Sequence, residues 1–186
     1  MALTKVNTGG LAADSVDNTI LKLDDDYALT GAVTGAGSVV QVVNVQNGNV
    51  ATGTTRLALD DSIPQNSEGT EFLTLAITPT NANNKLKIDV LFIGCYSADA
   101  VITLMLFQDS TANALACNYN WSGGSGTRNI SMYLSHNMTA GTTSATTFKI
   151  RAGGDNAGTL TFNGRTGERQ YGGTLASSIT ITEIAV

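Results

Sequence analysis

Several stretches of this chain alternate apolar and polar residues with a period of two, and that pattern decides what the chain can fold into. In 85–93, Leu86, Ile88, Val90 and Phe92 share one parity, while Lys85, Lys87 and Asp89 hold the other. Successive side chains of a strand point to opposite sides, so the run predicts a strand buried on one face. Run 129–136 repeats it, with Ile130, Met132 and Leu134 against Asn129, Ser131 and Ser135. Run 146–151 does the same with Thr146, Phe148 and Ile150, and Ile179 and Ile181 alternate with Ser178, Thr180 and Thr182. Two further runs are apolar on both parities. In 101–107, Val101, Met105 and Phe107 face Ile102, Leu104 and Leu106 across the strand, and Val39 to Val45 is similar. Such strands are predicted to be covered twice, by the core and by a second layer or another subunit.

Turn signals separate these runs. They include Asn47-Gly48-Asn49, Pro64-Gln65-Asn66-Ser67, Pro79-Thr80-Asn81, Gly153-Gly154-Asp155-Asn156 and Asn163-Gly164. Gly and Asn tolerate positive φ, and Pro presets φ for a turn. Composition agrees: Thr (26), Gly (20), Asn (16) and Ser (13) make up 75 of the 186 residues, which favours strands and turns over helices. About eight to ten strands at this spacing predict an all-β, jelly-roll-like β-sandwich over 38–186.

Residues 1–37 differ. They hold five of the eleven Asp residues, and Tyr27 is their only aromatic. Val16, Ile20, Leu23 and Tyr27 are spaced four, three and four apart, a heptad-like seam with Ser15 as an available N-cap. The rival reading is an extended segment in which Leu21 and Leu23 alternate with Lys22 and Asp24. Neither makes a core alone. Gly31, Gly35 and Gly37 follow as a hinge. The expected layout is a short attachment segment at 1–37, then a knob at 38–186 that associates as a homotrimer. The seam residues Val16, Ile20, Leu23 and Tyr27 are its candidate oligomerisation contacts.

Chemistry is sparse. His136, the only histidine, shares its parity with Ile130, Met132 and Leu134 and reads as a core or interface residue. Gly123-Gly124-Ser125-Gly126-Thr127 fails the nucleophile-elbow pattern at its fifth position, and no phosphate-binding G-x-x-x-x-G-K occurs. We therefore expect no enzyme, no cofactor and no resident metal. Asp24-Asp25-Asp26 and Asp60-Asp61 read as solvated acidic patches, since calcium needs six to eight oxygens. Cys95 and Cys117 lie outside any metal pattern and read as two buried thiols, with a disulfide as the alternative. Net charge −5 and pI near 4.6 disfavour nucleic acid. No run of about 18 apolar residues is present, so membrane insertion is not expected. Residues 1–10 lack the apolar stretch of a secretory signal. The most suggestive cluster is Asn118, Tyr119, Asn120 and Trp121 beside the Gly-rich stretch 123–126. It is expected in a loop, where Trp121 would stack on a sugar and the Asn side chains would bond its hydroxyls.

Three segments carry a resemblance. Leu75-Ala76-Ile77-Thr78-Pro79-Thr80-Asn81-Ala82-Asn83-Asn84-Lys85-Leu86-Lys87-Ile88, the stretch from Ala140 to Arg151, and the ending Ser177 to Ile184 resemble segments of bacteriophage tail-fibre and virion surface proteins. The opening Met1-Ala2-Leu3-Thr4-Lys5-Val6 is similar to phage-fibre attachment segments. The resemblance implies a trimeric virion protein, a tail fibre, head fibre or capsid decoration. Residues 1–37 would then hold other virion proteins, and a host surface glycan is the candidate ligand. A free carbohydrate-binding module is the rival class, and a depolymerase the third.

Overall fold

The structure is a computed structural model that describes residues 36–123 and 128–186. The expected seam at Val16, Ile20, Leu23 and Tyr27, the Asp24–26 triplet and most of the Gly-rich stretch lie outside the described residues.

Among the described residues twelve strands follow one another: β1 (Val39–Asn47), β2 (Ala51–Gly53), β3 (Thr70–Ile77), β4 (Lys85–Tyr96), β5 (Val101–Gln108) and β6 (Ala116–Trp121), then β7 (Asn129–Thr139), β8 (Thr146–Gly154), β9 (Leu160–Phe162), β10 (Gly164–Arg165), β11 (Glu168–Arg169) and β12 (Ser177–Ile184). Eight are long, and these make two four-stranded antiparallel sheets. The first runs β1-β12-β4-β7, with β9 and β2 continuing beside the end of β4; the second runs β3-β8-β5-β6. Numbered by chain order among the long strands alone, the sheets read 1-8-3-6 and 2-7-4-5. That order is a jelly roll, two Greek keys folded into a sandwich.

The alternating runs fall as their parity demands. Leu86, Ile88, Val90, Phe92, Phe148, Ile150, Ile179 and Ile181 are all fully buried between the sheets. Phe72, Phe92 and Phe162 meet there, with ring centroids 5.2–5.8 Å apart. Opposite them, Lys85, Lys87, Ser131 and Ser135 face out.

The two doubly apolar runs part company. On β5, Ile102, Leu104 and Leu106 enter the sandwich, while Met105 and Phe107 pack outside it under Leu57. The second cover is therefore the chain's own strap, residues 54–69, not another sheet or subunit. Two glycines let the strap approach. A Cβ on Gly153 would lie 2.6 Å from the Thr55 carbonyl oxygen, and one on Gly69 would lie 2.6 Å from the Met105 methyl. Arg151 fastens the strap by donating to the carbonyls of Glu68 (2.9 Å) and Gly69 (2.7 Å). Strand β1, in contrast, is an edge. Val43 and Val45 turn inward, but Val39, Val40 and Val42 remain exposed. No second layer covers it among the described residues.

Candidate functional site

Among the described residues strand β6 pairs with β5 on one side only, so it stands at the edge of its sheet. Opposed residues of an antiparallel pair share a face. Trp121 stands opposite Val101, Tyr119 opposite Thr103 and Cys117 opposite Met105; these three point outward. Asn120 stands opposite Ile102 and Asn118 opposite Leu104, on the other side. The quartet expected to form one stacking and hydrogen-bonding loop is thus a strand, and its aromatics and amides lie on different faces.

The aromatic pair is left to solvent. Tyr119 is 69% and Trp121 63% exposed, in a sandwich whose other described large aromatics are mostly interior. Trp121 is nonetheless oriented, because its indole N–H donates to Asp99 Oδ1 at 2.6 Å. The two Asn side chains are occupied by backbone. Each Oδ1 accepts the N–H of the next residue, Tyr119 or Trp121, at 2.8 Å. The Asn118 amide also donates to the Tyr133 carbonyl at 2.7 Å, tying β6 to β7 across the two sheets. An Asn folded over the backbone N–H of a neighbour blunts an edge that would otherwise recruit another strand.

A second outward group lies on the β4–β7 face, where Leu91 stands opposite Tyr133 and Asp89 opposite Ser135. Tyr133 is 54% exposed and Leu91 39%. Asp89 accepts from Lys87 Nζ (2.7 Å), Ser135 Oγ (2.8 Å) and the Tyr133 hydroxyl. Partial burial would raise the Asp89 pKa, but these bonds outweigh it and the carboxyl is held below its usual range. His136 is half-buried at the inward parity, opposite Ile88.

Of the two cysteines expected to be buried thiols, one is and one is not. Cys95 is buried, and burial pushes its thiol pKa up; Cys117 is exposed, and no disulfide joins them. Cys117 borders an open hollow of about 430 Å³ between 60–64 at the strap tip and 114–117. The Asp60–Asp61 pair lies on its rim, and no group of three metal-ligating side chains occurs among the described residues.

One residue escaped the sequence reading. Glu183 is completely buried, at the inward parity that continues from Ile179 and Ile181. Parity alone would have found it: a carboxylate where an isoleucine is due must have partners waiting.

Residues 49–186 match a family model described as the Pgp3 C-terminal domain. No curated protein matches the sequence. Among solved structures, Eiger TNF from S. frugiperda is 11% identical, with a TM-score of 0.42 over 77% of this chain and 93% of that one. The CBM22-1 xylan-binding domain of Paenibacillus barcinonensis Xyn10C is also 11% identical, with a TM-score of 0.42 over 82% and 99%. A chain of infectious bursal disease virus, Gt strain, is 14% identical, with a TM-score of 0.38 over 78% and 38%. The family match overturns the phage resemblance, and with it the tail-fibre, head-fibre and decoration readings and the virion location. The family match likewise replaces the carbohydrate-module alternative. The reason for the error is physical: the segments that suggested phage are a hydrogen-bonded turn and three alternating strands, which describe a fold and not a lineage.

Proposed function

The chain belongs to the Pgp3 C-terminal domain family of Chlamydia virulence proteins, and from that premise we propose that it is a non-catalytic interaction domain that works as a homotrimer. The observation that carries this reading is the outward pair Tyr119 and Trp121 on an edge strand, with the indole already oriented by Asp99. Large aromatics held in place yet solvated are typical anchors of protein contacts. Leu91 and Tyr133 on one face, and Val39, Val40 and Val42 along β1, add further apolar area. These patches are unlike one another. A contact between two unlike patches repeats head to tail and closes into a ring where the rotation allows, and three subunits is the smallest ring of that kind. Three copies on one axis would also multiply a weak contact with a foreign partner through avidity.

Light scattering at micromolar concentration tests this. The expected mass is three times the 19.2 kDa of the chain, and the double variant Tyr119→Ser, Trp121→Ser should fall toward the single-chain mass. A single-chain mass for the unaltered protein would overturn the trimer. A variant that stays trimeric would move the subunit contact off β6 and leave the aromatic pair to a foreign partner.

A further inference from the structure

Glu183 is the fully buried carboxylate among the described residues, and its surroundings are unusual for a charge. No Lys, Arg or His nitrogen lies within salt-bridge distance of it among the described residues. Instead, neutral donors converge. Oε1 accepts from the Thr80 N–H (2.8 Å), the Thr80 hydroxyl (2.8 Å), the Asn84 amide (2.6 Å) and, at 3.4 Å, the Asn81 N–H. Oε2 accepts from the Gln41 amide at 2.5 Å. Gln41 is the cross-strand neighbour of Glu183 on β1, while 80–84 is the turn that leads into β4, the strand on the other side. The carboxylate therefore joins the start of β1 to the turn before β4.

The turn does not depend on Glu183 for its shape. The Asn84 N–H donates to the Asn81 carbonyl (3.1 Å), and the Asn83 N–H to Asn81 Oδ1 (2.9 Å). The N–H groups of Ala140 and Gly141 donate to the carbonyls of Asn84 and Ala82, each at 2.8 Å. The donors that meet the carboxylate are thus held from behind, as in the backbone nests that bind anions elsewhere. The charge state agrees. Burial would raise the pKa, yet bonds from Gln41, Asn84 and Thr80 outweigh it and hold the carboxyl at about 2.

We propose that the 80–84 turn, with Gln41, is a preformed anion cradle whose resident ligand is the Glu183 carboxylate, and that it accepts a small free carboxylate when that side chain is removed. The inference stands apart from the oligomeric state. Its structural meaning is that an anion, not apolar packing, locks the beginning of β1, the strand that carries the exposed valines.

The full chain with Glu183→Ala is the test, read by melting temperature. Donors stripped of their acceptor should lower it by roughly 5–10 °C. Acetate at about 0.2 M should return a large part of the loss by binding the folded state, saturably, while acetamide and chloride should not. Equal recovery by acetamide, or none by acetate, would overturn the proposal. If Glu183→Ala does not fold, two variants that keep Glu183 decide the matter. Asn84→Asp places a second carboxylate in the cradle and should melt well below Asn84→Leu at neutral pH. An Asn84→Asp protein as stable as Asn84→Leu would mean that the site is indifferent to charge.

Discussion

Strand β5 is buried on both faces, and the two covers are of different kinds. Its inner face, with Ile102, Leu104 and Leu106, meets the side chains of an opposing sheet. Its outer face, with Met105 and Phe107, meets a strap that has no strand pairing in its main run and contributes chiefly Leu57. The inner cover is sheet against sheet, held by every neighbouring strand. The outer cover is held by polar ties at its ends, such as the Leu57 N–H to the Gly154 carbonyl and the Asn66 N–H to the Ala112 carbonyl. Equal burial on the two faces of one strand therefore does not mean equal structural consequence: an interior gap cannot close, whereas a strap can shift.

The largest expected effect lies inside. Leu104→Ala empties volume between two sheets that cannot collapse onto it, so about 2–5 kcal/mol of unfolding free energy should be lost in chemical denaturation. A loss below about 1 kcal/mol would mean that the interior is as yielding as the strap, and the contrast would fail.

Gly153→Ala should cost less, about 1–3 kcal/mol, because the added methyl pushes against the Thr55 carbonyl and the strap can give way. The sharper readout is local. Amide exchange in 55–69 should accelerate while the inward residues of β4 and β12 stay protected. Uniform acceleration through both sheets would show the strap to be part of the same cooperative unit as the core.

This contrast also marks how far the sequence was legible. Parity located the inner residues of β4, β7, β8 and β12, because a half-buried strand prints its environment every second residue. It revealed that β5 is covered twice but not by what, since Leu57 sits in 54–69, a stretch with no period to read. β1 looked like β5 in sequence and is an edge instead; alternation reports which side chains could be buried, not whether a neighbour exists to bury them. At β6, the polar neighbours of Trp121 pointed to a loop, whereas the residue ends a strand. Asn118 and Asn120 have the chemistry of turn formers, and here they spend it on the N–H groups of Tyr119 and Trp121. The Ile77-Thr78-Pro79-Thr80 segment drew attention for its likeness to other proteins. Its actual work, holding Glu183, became visible only when residue 183 was brought to it across about a hundred positions of chain.

The smallest effect on the single-chain fold is expected at the aromatic pair. Tyr119 and Trp121 are mostly solvated, and each touches the fold through its backbone pairing to β5 and, for Trp121, through one bond to Asp99. Replacing both by Ser keeps the strand and removes side chains that bury little, so at high dilution the stability should change by no more than about 0.5 kcal/mol. The difference from the unaltered chain should then grow with concentration. Subunit association stabilises the folded form by mass action, so the unaltered protein should melt higher as it is concentrated, while the variant stays where it was. Concentration-dependent melting of both proteins side by side measures this directly. If the variant melts far lower even at the greatest dilution, the pair packs under its own fold and β6 belongs with the strap as a cover. If neither protein responds to concentration, the outward aromatics are not a subunit contact, and β1 with its three bare valines becomes the edge to examine.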